Sequence, residues 1–175
     1  MLVEQPQSIL AKDPPHIDDP VNRTLLALDL GSKLGWAMRL REGTFSSGTV
    51  AFKPGRFEGA GMGFLRFRYW LDELAKTSGG IDVVYFEEVR AHAGTLAAQV
   101  YGGFLAHLTA WCEFHHVPYQ GVPVATIKKH ATGKGNADKK AVIAAMQAKG
   151  FNPQDDNEAD ALAILQWAIT QGAAS

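Results

Sequence analysis

Three places in this chain carry acidic residues in settings that suit chemistry. Asp29 closes the aliphatic run Leu25-Leu26-Ala27-Leu28, and Leu30-Gly31-Ser32-Lys33 follows it at once. Glu87 and Glu88 end a second apolar run, Ile81-Asp82-Val83-Val84-Tyr85-Phe86. Asp156 and Asp160 open an Ala-rich, Leu-rich stretch near the C-terminus. A carboxylate at the end of a buried strand costs several kcal/mol unless something pairs with it, and a metal ion is one such partner. Four carboxylates brought together would form a ring of oxygen donors. Such a ring suits Mg2+, which keeps some waters for substrate phosphates. Two ions about 3.5–4 Å apart could activate water and stabilise the leaving oxygen of a phosphodiester.

Each acid also has a plainer reading. Asp155 and Glu158 have the spacing of a helix capping box. Asp156 in a first helical turn would complement the helix dipole. Glu88 reads as a solvated strand end. Strand alternation places Glu87 on one face with Tyr85 and Val83, and Glu88 on the other.

The second constellation is basic. Residues 127–140 hold five lysines, Lys128, Lys129, Lys134, Lys139 and Lys140, with His130 and two glycines among them. Lysines bind phosphates as point charges, so these six side chains form a candidate DNA-contacting segment. Its plainer reading is a solvated loop beside an amphipathic helix. Gly133-Lys134-Gly135 lacks the spacing of a Walker loop. Arg56, Arg66 and Arg68 on the first helix would extend a phosphate-contacting surface. His92, His107, His115 and His116 stand apart from cysteine and from one another's helical faces. No nucleophile–base pair is visible, so water activation would fall to metal.

The elements that must position these groups follow from apolar periodicity. Strands are expected at Thr24–Leu30, Gly35–Leu40 and Phe45–Phe52, joined by short turns as an antiparallel meander. A helix follows over Phe57–Lys76, its first turns weakened by Gly59, Gly61 and Gly63. Then come a strand at Ile81–Glu87, a helix at Thr95–His115 and a strand at Val117–Val122. A short helix at Pro123–Ala131, a loop at Thr132–Asn136, and helices at Ala137–Lys149 and Asp156–Gln171 complete the order. This predicts an α/β fold with a five-stranded mixed sheet and helices on both faces. Adjacent first and fourth strands would bring Asp29 and Glu87 together at their carboxyl ends, where open α/β sheets place their sites.

The 175 residues suit one domain, expected over 23–175, and residues 1–22, with four prolines, read as a flexible arm. Apolar residues make up 46% and charged residues 20%, an ordinary globular composition. The net charge of −1 gives no global pull toward nucleic acid, so binding would need the local lysine patch. The single cysteine, Cys112, excludes an intrachain disulfide and reads as a core residue. No run approaches the ~20 apolar residues of a membrane span, and no signal peptide is recognisable, so a cytoplasmic protein is expected.

Together these motifs resemble the RuvC family of Holliday-junction resolvases, in the RNase H-like superfamily, across about residues 24–170. Leu28-Asp29-Leu30-Gly31-Ser32 looks like the family's Asp-Pro-Gly-Ser, with Leu30 in place of proline. Phe86-Glu87-Glu88-Val89 looks like its Ile-Glu-Gln-Val. Lys128 and Lys139 match its basic loop and helix, and the stretch from Pro153 to Ala163 its closing acidic motif. The resemblance implies a homodimeric, Mg2+-dependent endonuclease, Mn2+ being an acceptable substitute, that nicks a four-way DNA junction symmetrically. It implies metal ligation by Asp29, Glu87, Asp156 and Asp160, with Lys128 and Lys139 near the scissile phosphate. It implies no small-molecule cofactor and no membrane. The dimer would use the helix Thr95–His115. The compact format fits phage-type members.

Two departures stand out. The closing motif has one extra residue, which leaves Asp156, Asn157 and Glu158 as alternatives for the fourth ligand. Where the family often carries a base-engaging aromatic residue, this chain has Arg90. Alternative functions are an RNA-processing nuclease of the same fold, of the kind that trims ribosomal RNA precursors, and a non-catalytic branched-DNA-binding module. A sugar-kinase-like ATPase is disfavoured, because the chain is too short for two domains.

Overall fold

The computed structural model describes residues 22–89 and 94–172. The expected arm over 1–22 lies almost wholly outside the described residues, as do Arg90 and His92. Five strands form one sheet: β1 (Leu25–Asp29), β2 (Lys33–Arg39), β3 (Phe45–Ala51), β4 (Val83–Glu88) and β5 (Tyr119–Pro123). Their spatial order is β3-β2-β1-β4-β5. The first three strands pair antiparallel, and β1–β4 and β4–β5 pair parallel. The helices are α1 (Gly61–Thr77), α2 (Thr95–His115), α3 (Val124–Thr132), α4 (Lys139–Ala148) and α5 (Asp156–Gly172). Among the described residues no helix is long and apolar enough to cross a membrane.

The near-continuous apolar strands are buried on both faces, as covered strands must be. Alternation divides their side chains into two cores. Leu25, Ala27, Val83 and Tyr85 pack with α3, α4 and α5 residues such as Ile127, Met146 and Leu162. Leu26, Leu28, Val84 and Phe86 pack with α1 and α2 residues such as Phe67, Leu71, Phe104 and Leu108. Asp29 and Glu87 continue the first set, so both belong to the face covered by α5.

α5 lies close on that face because the residues between them are small. Ala27 and Ala37 of the sheet meet Ala159, Ala161 and Ala163 in one cluster. At Gly35, which pairs with Asp29 across the β1–β2 ladder, a Cβ would overlap the carbonyl of Asn157. The N-terminus of α5 therefore rests on bare backbone beside Asp29.

Departures from expectation have local causes. β2 starts at Lys33, before Gly35, because Lys33 and Leu34 pair with Ala51 and Val50 of β3. α1 starts at Gly61, after Phe57, because the preceding segment closes as a turn. There the Gly55 amide donates to the Glu58 carboxylate at 2.5 Å, and Arg66 bridges to that carboxylate at 2.6 Å. α4 starts at Lys139, where the Asp138 side chain accepts from the Ala141 amide at 2.8 Å as an N-cap.

Most of the apolar stripe of α2, the helix expected at a dimer interface, is buried in the monomer, where Phe104, Leu108 and Trp111 are core residues, while Leu96 and Phe114 stay exposed. Gly103 receives the ring of Phe64 rather than a neighbouring backbone, while Gly102 faces open space. Gly35→Ala should then cost about 1–3 kcal/mol through overpacking, with Tm falling about 2–4 °C per kcal/mol. Gly102→Ala should instead stabilise by about 0.5–1 kcal/mol, because it adds helix propensity and meets nothing. Thermal unfolding of the two variants beside the parent checks both signs.

Candidate functional site

Asp29 ends β1, and the parallel register pairs Leu28 with Phe86, so Glu87 stands beside Asp29 at the carboxyl ends of adjacent strands. The two carboxyl groups share a hydrogen bond. Burial, then the charges of Glu87 and Asp160, raise the Asp29 pKa well above the ordinary carboxylate range. Burial likewise raises Glu87. Two carboxyl groups this close hold one proton between them more easily than two negative charges. Asp160, from the second turn of α5, joins them electrostatically: burial first and Glu87 second push it up to about 6.

The acids at the start of α5 divide by role. The Asp155 side chain accepts hydrogen bonds from Thr49 at 2.7 Å and from the Glu158 amide at 3.0 Å, and pairs with Lys33 at 2.9 Å. Glu158, 6% exposed, accepts from Ser47 at 2.7 Å and from the Gln154 amide at 2.8 Å. These two residues clamp the helix start onto the β2–β3 hairpin; Asp155 caps the helix as the spacing predicts, while Glu158 reaches the Gln154 amide in front of it. Asp156 is ion-paired with Lys139, which holds its pKa below the usual value. Asn157 lines a cleft with Asp29.

Among the described residues no three His, Cys, Asp or Glu side chains stand as a preformed three-ligand group. Asp29 and Glu87 are occupied with each other, and Asp156 with Lys139. The donor chemistry nonetheless fits a divalent cation. Asp29, Glu87 and Asp160 are oxygen donors whose ionised forms burial disfavours, with carboxylate repulsion adding to it at Asp29 and Asp160, and a cation would relieve both effects.

The lysines also divide. Lys128 lowers the pKa of Glu87 and Asp160, and Lys139 acts on Asp29, Glu87 and Asp160, so these two serve the acidic cluster. Lys134 lines a separate hollow with Thr132, Asn136 and Asp138. Lys129 and Lys140 are exposed on α3 and α4. His130 is not presented with the lysines: its Nε2 meets the Thr170 hydroxyl at 2.8 Å, joining α3 to α5. Arg66 and Arg68 sit on α1, in the layer across the sheet, and Arg66 is engaged by Glu58 and the Lys53 carbonyl. They do not extend the lysine surface.

A cleft of about 640 Å3 opens beside Asp29. Its polar wall is the Gly31-Ser32-Lys33 turn with Asn157, and its apolar wall is Val89, Leu96, Ala97, Val100 and Tyr101. Sequence reasoning missed Lys33 and Tyr101. Lys33 stands four residues after Asp29, across a tight turn, which is a usable signal. Tyr101 looked like any aromatic member of a helical stripe.

No family model and no curated protein matches this sequence. Solved structures do. Thermus thermophilus RuvC in complex with a Holliday junction substrate superposes with a TM-score of 0.71 at 21% identity, covering 87% of this chain and 96% of that one. The fold is that of RuvC. A second Thermus thermophilus RuvC structure gives a TM-score of 0.67 at 21% identity, over 86% of this chain and 96% of that one. The yeast mitochondrial Holliday junction resolvase Ydc2 gives 0.62 at 11% identity, over 89% and 81%. The sheet and helix layers described above are thus a RuvC-type scaffold, with the acidic cluster at the carboxyl end of its parallel strands.

Burial opposes ionisation of Asp155, but the Glu158 amide, Lys33 and Thr49 outweigh it and hold the pKa at about 2, below the ordinary range of an aspartate. A depressed carboxylate stabilises the fold at pH values above the unfolded pKa, and that stabilisation is lost as pH falls toward the folded one. Wild-type Tm should therefore drop between about pH 4 and pH 2, and Asp155→Asn should flatten that drop while lowering Tm at neutral pH. Thermal melts across that window measure both.

Proposed function

We propose that this protein is a divalent-metal-dependent endonuclease that cuts branched DNA, with the four-way junction as its substrate. One observation carries the reading. On a RuvC-type scaffold, Asp29, Glu87 and Asp160 gather in one electrostatically coupled cluster with Lys128 and Lys139 beside it. A polyanion binder gains nothing from buried carboxylates, whereas a phosphodiesterase needs them.

Asp29, Glu87 and Asp160 would hold Mg2+, two ions being the expected number and Mn2+ an acceptable substitute, with Asp156 available if it leaves Lys139. A bound divalent cation supplies a water nucleophile at neutral pH and offsets charge on the phosphate. Lys128 and Lys139 neutralise the remaining phosphate oxygens as point charges. Ligation would use the ionised forms of Asp29 and Glu87, so cation binding would be coupled to proton release. Lys129, Lys134 and Lys140 contribute to the DNA-facing surface farther from the cut.

The test is incubation with labelled four-way junctions, forks, duplex DNA and a structured RNA, in Mg2+ or in EDTA. Paired, symmetric nicks in the junction that need Mg2+ are expected. Asp29→Asn should reduce cleavage at least a thousandfold and leave junction binding measurable. RNA cleavage without junction cleavage would transfer the reading to RNA processing, and undiminished cutting by Asp29→Asn would remove the ligand assignment.

Symmetric nicking calls for two active sites, so a homodimer is part of the proposal. Exposed apolar side chains on both helices of the α1–α2 layer offer contact surface, Leu96 and Phe114 of α2, each 74% exposed, and Leu65 and Tyr69 of α1, 42% and 63% exposed. Sedimentation at micromolar concentration should show a dimer that Leu96→Glu or Tyr69→Glu converts to monomer; a monomeric parent counts against it.

A further inference from the structure

We infer that Tyr101 is a positioning residue for Glu87, an inference that rests on the nuclease reading above. The paired register of β1 and β4 ends at Leu28 and Phe86. Glu87 therefore lies just past the β1–β4 ladder, while on its other side it is paired with Val122 of β5. There the Tyr101 hydroxyl donates to the Glu87 carbonyl at 2.8 Å and accepts from the Val89 amide at 3.3 Å. One side chain from α2 thus brackets the backbone on either side of Glu88.

The bracket is rigid at its other end. Tyr101 is 8% exposed, and its ring belongs to the core shared by α1, α2 and the sheet. The hydroxyl emerges from that core at the strand ends, where the ring also lines the cleft beside Asp29. A functional carboxylate must be held within about 0.5 Å of its working geometry, and its own backbone is the first determinant of that. Tyr101 adds a second backbone tie to the β5 pairing of Glu87, at the point where the β1–β4 ladder no longer reaches. Through the main-chain carbonyl it fixes the carboxylate's backbone from the opposite side of the sheet.

Tyr101→Phe removes the oxygen and keeps the ring. In the full chain, amide exchange at Val89 should speed up relative to its neighbours, which reports the loss of the clamp directly. Mn2+ binding, followed by electron paramagnetic resonance without DNA, should weaken about 10–100-fold, the usual effect of losing support behind a ligand. Ile81→Val, a core truncation just before the opposite end of β4, controls for general loss of stability. It should lower Tm and leave Mn2+ affinity unchanged. Wild-type Mn2+ affinity in Tyr101→Phe, or an equal loss in Ile81→Val, overturns the role of Tyr101 alone. No Mn2+ binding by the wild-type protein overturns the metal-dependent nuclease reading along with it.

Discussion

The arrangement depends on how closely α5 can approach the sheet. A helix normally rides on a layer of branched side chains, but here alanines face alanines and Gly35 offers backbone to the Asn157 carbonyl. That contact is next to Asp29 in the ladder, so the tightest point of the helix–sheet interface is also the point where the helix brings its acids. Polar bonds then fix the direction of approach. Ser47, Thr49 and Lys33 hold Glu158 and Asp155, and Asp160 follows on the next turn. The acids at the helix start secure its position, and the acid one turn on joins the cluster.

Electrostatics pulls against this geometry. Burial raises the pKa of all three carboxyl groups, neighbouring carboxylates add to it at Asp29 and Asp160, and the fold answers with an Asp29–Glu87 hydrogen bond and two lysines rather than with separation. Lys139 stands at the first turn of α4, where its charge is unfavourable for the helix dipole. Asp138, the N-cap just before it, supplies the compensating acid. The lysine serves the acidic cluster at the expense of its own helix.

Much of this was legible in the sequence because both periodicities are strong. Alternation puts Glu87 and Glu88 on opposite faces, and the two cores bear that alternation out, whereas the choice of Glu87 comes from its likeness to the family's motif. The embedding of Asp160 in an alanine-rich helix marked it as more than a solvated residue. What could not be read were facts of packing. No spacing rule says that His130 will turn to Thr170, or that Arg66 will close a glycine turn. The α2 stripe has the same period whether it faces a partner or its own core. Tyr101 was hidden for the same reason, since a hydroxyl at the end of a buried ring has no sequence signature.

The sheet also acts as a partition. The layer of α3, α4 and α5 carries the acids and Lys128 and Lys139, while the layer of α1 and α2 supplies bulk. Tyr101 is a rare point where the second layer reaches the strand ends. Any apolar set of the right volume can fill the α1–α2 side. A scaffold built this way can keep its shape while most of its residues turn over, as the 0.71 superposition at 21% identity illustrates.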